Sequence, residues 1–304
     1  MNRILRHGLL VLALLLGGMF GAAAQAPAKL QGFPTAEAAA DAFTDALRKN
    51  DDKAVSAMLG ADWRDFVPGT TEDENKVRDD FLAAWDKSHK LRSVNDDKVL
   101  VEVGTTGWVA PIPIVRQDGQ WHYDIEAGRA EMTAREIGRN ELSVVQTLLA
   151  IVDAQQDYAA MDPMKTGLRV YARRLLSSPG NKDGLYWETR PGEPESPLGP
   201  LVAKAQPGDA EKDGYHGYHY RLLYRQGPAA PGGAYDYLVN GRMLGGFAVL
   251  AWPVTYGETG VMTFMVSHSG DVYEQDLGPD TAQKAGEIAA FNPDKDWQKS
   301  DMTP

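Results

Sequence analysis

A chain of 304 residues, 43% hydrophobic and 24% charged, has room for two ordinary domains with separate cores, and its composition argues against general disorder. A formal net charge of −11 argues against nucleic acid as a partner, since duplex binding is built on Lys and Arg neutralising phosphate, and it disfavours an anionic membrane surface for the same reason. With no cysteine, the chain has no disulfides, no thiolate catalysis and no Cys-type zinc site.

Residues 1–26 open with Arg3 and Arg6, continue as the apolar run LLVLALLLGGMFGAAA, and end in small residues suited to cleavage near Ala24 or Ala26. That is the layout of a secretory signal peptide. The apolar run is shorter than the roughly 20 residues a spanning helix needs, and no later segment is apolar enough to cross a bilayer. The mature protein is therefore expected in the periplasm or outside the cell.

Residues 27–130 are expected to form an N-terminal α+β domain. Thr35 is placed to cap a helix with Ala38, Ala39, Ala42, Phe43 and Leu47 at three-to-four spacing, and Asn50, Asp51 and Asp52 end it. A second helix carries Val55, Met58 and Leu59 and stops at Gly60. The acidic stretch TEDENK is taken as a loop, and a third helix is expected over 76–90. The period then changes to that of strands in KVLVEVG and in the two runs flanking Asp118 and Gly119, a hairpin signal.

Residues 131–304 are expected to form a second domain. Leu142, Val145, Leu148, Leu149, Val152 and Tyr158 predict a long helix, followed by a shorter one over 168–176. A Gly- and Pro-rich loop comes next, with Tyr186 and Trp187 pinning it to the body. Strands are predicted over 218–224, 234–238, 243–252, 261–267 and 271–275, with tight turns at Asn240–Gly241 and Ser269–Gly270. A helix over 281–290 and a polar tail docking through Trp297 close the chain.

The order of helices and curling sheet in the first domain resembles the cone-shaped nuclear-transport-factor-like fold. The strings FPTAEAAADAF, PIPIVRQDGQW, GRNEL, DGLYW, SPLGPLVA, GYHGYHYR, QGPAAPGGAYDYLVNGRMLGGFA, AWPVTYGETGVMTF and DLGPDT resemble the DUF2950 family of exported bacterial proteins. That family implies membership and no activity. The second domain, a long helix and then GYHYRL and GGFAVLAWPVTYGETGVMTFMVSHSGDVY, resembles pilin and pseudopilin heads. The resemblance implies a long helix packed on an antiparallel sheet.

Among site candidates, His216 and His219 beside Asp213 are the residues best suited to a metal, but i and i+3 on an extended chain point to opposite faces, so the two histidines are kept as binding candidates without a metal. Ser267, His268 and Asp271 have the residue types of a hydrolytic triad, yet neighbours on a hairpin cannot line up as nucleophile, base and orienter. Asp153 with Asp157, and Glu193 with Glu195, read as solvated surface. The segment PGGAYDYLVNGRM offers a recognition surface of Tyr235, Asp236, Tyr237, Asn240 and Arg242. Its plainer reading is a hairpin with both tyrosines on one face and Asp236 paired to Arg242 on the other.

No GxSxG, SxxK, HExxH, P-loop or GxGxxG string occurs, so no catalytic residue, metal or cofactor is assigned. The expectation is an exported, non-enzymatic protein that binds an envelope protein or polymer. The alternatives are a hydrolase or transferase on cell-wall or polysaccharide substrates, and an accessory component of a pilus or secretion system.

Overall fold

The computed structural model describes residues 30–66, 70–199 and 214–302. The expected leader peptide and Asp213 lie outside the described residues. The chain divides into two compact units: the first runs up to Ala110 and takes in Ile114–Tyr123, and the second takes Pro111–Pro113 and everything from Asp124. Both are mixed α and β, with antiparallel sheets apart from one short parallel pair.

In the first unit, helix α1 (Ala36–Lys49) is capped by Thr35, whose hydroxyl accepts the Ala38 N–H at 3.1 Å, and it ends where Asn50 turns left-handed at φ 51°. Helix α2 (Asp52–Leu59) stops at Gly60. Helix α3 (Thr71–Lys87) begins earlier than the sequence pattern predicts, because TEDENK forms its first turns. Thr70 and Asp73 close a reciprocal capping box, and Glu72, Asp73 and Glu74 sit where a helix N-terminus attracts negative charge.

The first sheet runs β1 (His89–Asn95), β2 (Lys98–Val103), β4 (Ile114–Gln117), β5 (Gln120–Tyr123), with the short β3 (Trp108–Val109) also on β2. Asp118 and Gly119, at φ 52° and 77°, make the β4–β5 turn as their dipeptide predicts. Strand β1 falls partly where helix was expected. Ser88 is extended, which ends α3 at Lys87 and lets residues 89–95 pair with β2. Val99, Val101, Val103, Ile114, Trp85 and Tyr123 fill the core of this unit.

The second unit opens with α4 (Ile125–Met161), about 55 Å long at 1.5 Å per residue. It starts at Ile125 rather than near Glu131, since the Asp124 carboxylate caps it by accepting the Ala127 N–H at 3.0 Å. Gly128 permits close approach to Ile112, which a Cβ would meet at 2.8 Å. The helix expected over 168–176 does not form. Buried Gln155 holds that chain extended, donating to the Ala172 carbonyl at 3.0 Å and accepting the Ala172 N–H at 2.8 Å as a neighbouring strand would. Residues Arg174–Leu176 (β6) instead pair in parallel with Gly184–Tyr186 (β7).

There follow β8 (Tyr218–Leu223), two small ribbons made of β9 (Arg225–Gln226) with β10 (Tyr235–Asp236) and of β11 (Leu238–Val239) with β12 (Arg242–Met243), then β13 (Ala248–Pro253), β14 (Met262–Ser267) and β15 (Val272–Asp276). Helix α5 (Thr281–Glu287) and β16 (Gln298–Lys299) end the described chain, and half-buried Trp297 packs on the core as expected. The main sheet has the order β16-β15-β14-β13-β8.

Helix α4 packs on β13 and β14, and α5 packs on β13. Arg221 ties α5 down by donating to the Ala285 and Ile288 carbonyls at 2.6 and 2.7 Å while its guanidinium lies over Trp252. Strand β13 is accordingly buried along nearly its whole length.

Burial shapes the alkaline behaviour of this unit. It pushes the Tyr158 phenol up to about 12, with the nearby Asp183 and Asp162 charges adding to the effect, and it also raises Tyr218, Tyr220 and Tyr237. A raised folded-state value contributes stability that is complete below the ordinary phenol pKa of about 10 and is lost as pH rises through the folded value. Urea unfolding at about pH 8 and pH 11 should show a marked loss at the higher pH. An unchanged midpoint would contradict the burial of these hydroxyls.

Candidate functional site

The site is built on the β9–β10 ribbon. Antiparallel pairing sets Tyr235 opposite Gln226 and Asp236 opposite Arg225, so each pair shares one side of the ribbon. The intervening loop is held by Gln226, which is 4% exposed. Its amide nitrogen donates to the Pro231 and Gly233 carbonyls, both at 2.7 Å, and its amide oxygen accepts the Tyr237 hydroxyl at 3.0 Å. On the other flank, Gly227 and Ala229 donate backbone N–H groups to the Phe291 carbonyl and the Asn292 side chain, each at 2.9 Å. A Cβ on Gly227 would overlap the Asn292 side chain, so only glycine fits there.

The Gln226 arrangement is directly testable. In Gln226→Glu the shape is kept but a carboxylate oxygen faces two carbonyls, so the variant should lose about 1–3 kcal/mol at neutral pH and recover part of it in acid as the carboxyl protonates. Urea titrations at both pH values check this, and wild-type stability at neutral pH would refute it.

Above this scaffold lies an open pocket of about 360 Å³, lined by Arg225, Gln226, Gly227, Ala234, Tyr235, Asp236 and Ala290. Tyr235 is 38% exposed, its ring sits edge-on to the buried Tyr237 ring at 5.6 Å, and Tyr237 in turn meets His268 at 5.8 Å. Arg225 and Asp236 are both exposed. Among the described residues, neither side chain has a hydrogen bond or ion pair. The pocket thus presents one cation, one carboxylate and one aromatic face on a fixed backbone.

The family model described as "Protein of unknown function (DUF2950)" matches residues 30–300. The chain belongs to the DUF2950 family. No curated protein and no solved structure matches it.

In this DUF2950 member, two of the seven residues singled out from sequence, Tyr235 and Asp236, line the pocket, and Tyr237 stands behind it in the core. Asn240 and Arg242 belong to the β11–β12 ribbon, where Asn240 at φ 51° and Gly241 at φ 74° form the expected two-residue turn. The plainer pairing of Asp236 with Arg242 does not form, because the two lie on separate ribbons and the cross-strand partner of Asp236 is Arg225. Nor do the tyrosines share one fate, since Tyr235 is open to solvent and Tyr237 is fully buried.

His216 is not on an extended chain. It sits at φ 53° beside Gly217 at φ 70° in a tight turn closed by the paired backbones of Tyr215 and Tyr218, and partial desolvation against the Tyr215 ring lowers its pKa. His219 lies on β8 against Trp252. Among the described residues no group of three His, Cys, Asp or Glu is placed to hold a metal.

Ser267, Ser269 and Gly270 form a turn, from which Asp271 bonds to Lys299 and His268 folds back between Tyr237 and Phe247. Asp153, Asp157, Glu193 and Glu195 are exposed. Arg225, Gln226, Gly227, Ala234 and Ala290 were missed as site residues. The only sequence signal for the first three is the RQG that opens the Pro- and Gly-rich segment.

Proposed function

We propose that the protein is exported and acts in the cell envelope by binding rather than by catalysis, with the pocket over the β9–β10 ribbon as its contact surface. One observation carries this reading: Arg225, Tyr235 and Asp236 are exposed and the two charges unpaired, while the backbone presenting them is fixed by a buried glutamine with three hydrogen bonds. Interfaces are anchored by Tyr and Arg held in place before binding. The basic and apolar leader supports export.

Most glycoside hydrolases use two carboxylates flanking the bond they cleave, and Asp236 is the only carboxylate lining this pocket. The accessory pilus reading draws on α4 packed against the antiparallel sheet, and the pilin and cone-shaped likenesses of the two units belong to this proposal. In this chain α4 follows a whole preceding unit, unlike the apolar assembly helix of a pilin.

The test compares wild type with Tyr235→Ala for retention of solubilised envelope fragments, followed by chemical analysis of what was retained. The reading expects retention that depends on Tyr235 and fragments recovered intact. Equal retention by the variant, or fragments recovered cleaved, would overturn it.

A further inference from the structure

We infer that the pocket takes a zwitterionic ligand, a free amino acid or a dipeptide with both termini free, with its carboxylate on Arg225 and its ammonium on Asp236. This rests on the pocket being the contact surface. Arg225 and Asp236 are directly opposed across an antiparallel ribbon, which places their Cβ atoms about 5 Å apart on one side. Opposite charges so placed ordinarily stabilise each other by pairing. Here they do not meet: neither side chain has a hydrogen bond or ion pair among the described residues, and both line the same open pocket.

A simple anion would be drawn to Arg225 but repelled by Asp236, and a simple cation the reverse. A polyanion would in addition face a chain of net charge −11. A small ligand that carries both charges satisfies both groups at once. The guanidinium offers a planar fork that matches a carboxylate. Asp236 accepts up to three N–H groups from an ammonium. Tyr235 is exposed and can meet an apolar side chain, and Gly227, Ala234 and Ala290 add only small groups to the lining. A volume of about 360 Å³ lies at the small end of ligand pockets and is enough for one or two residues.

The experiment is a titration of the ¹⁵N-labelled mature protein, followed by amide shifts, with L- and D-alanyl-alanine, the same dipeptides N-acetylated, C-amidated or blocked at both ends, and a neutral trisaccharide of N-acetylglucosamine. The expected result is saturable shifts at residues 225–227 and 234–236 with the free dipeptide. Blocking either terminus should weaken binding at least tenfold, and Arg225→Met and Asp236→Asn should each do the same while keeping the wild-type thermal midpoint. If the doubly blocked dipeptide binds as well as the free one, or the trisaccharide takes the pocket and the dipeptide does not, the zwitterion inference is overturned and the contact surface stands. If no probe moves these amides the inference also falls, whereas the contact surface falls if envelope fragments are retained equally by Tyr235→Ala.

Discussion

Replacing Leu148 by alanine should lower the unfolding free energy of the second unit by about 2–5 kcal/mol. Leu148 is fully buried in the stretch of α4 that carries Val144, Val145, Ile151 and Val152, all in the core shared with β13 and β14. Truncation removes the transfer free energy of the lost carbons and leaves a cavity that a sheet covered on both faces has little freedom to fill. Leu148→Met nearly conserves volume and should cost less than about 1.5 kcal/mol. Urea unfolding of both variants measures the difference, and equal losses would mean that α4 is not packed as described.

The second large effect is expected at Glu141. Its Oε1 accepts the backbone N–H groups of Val261 and Met262, both at 2.9 Å, and so clips α4 to the start of β14. Its neighbour Asn140 adds a bond to the Thr259 carbonyl at 3.0 Å. Removing the carboxylate leaves two partly buried N–H groups without an acceptor, each worth about 1–3 kcal/mol, so Glu141→Ala should cost about 2–6 kcal/mol. Glu141→Gln keeps an oxygen in place and should retain most of the stability. Hydrogen exchange separates this from a general loss: in the alanine variant the Val261 and Met262 amides should lose protection before those of β13. Unchanged protection there would show that the clip contributes nothing.

What was legible in the sequence was local. Asp118–Gly119 and Asn240–Gly241 specify turns by their own left-handed tolerance, and Thr35 and Gly60 mark helix ends by chemistry within one turn. The apolar spacing of α4 after Val144 and the buried run of β13 were equally plain. Strand β1 was not, because it is exposed along almost all its length and shows no apolar alternation. The start of α3 was hidden because acidic residues that favour a helix N-terminus also favour a loop. The segment after α4 was misread as helix because the side chain that keeps it extended, Gln155, lies in another element.

The pocket follows the same rule. Tyr235 and Asp236 stood out by composition, but the apposition of Asp236 to Arg225 depends on a register set across the 227–234 loop by Gln226, and nothing in residue spacing announces it. For a related reason residue spacing does not show how His216 stands to His219: a left-handed turn places His216, and only His219 lies on a strand.

The most direct measurement of the central claim is an amide-shift titration of the labelled mature protein with soluble envelope fragments, with the fragments weighed by mass spectrometry before and after. Binding without chemistry predicts shifts concentrated at residues 225–227 and 234–236 and fragment masses that do not change. Shifts centred elsewhere on the chain, or fragments that come back shortened or modified, would contradict it.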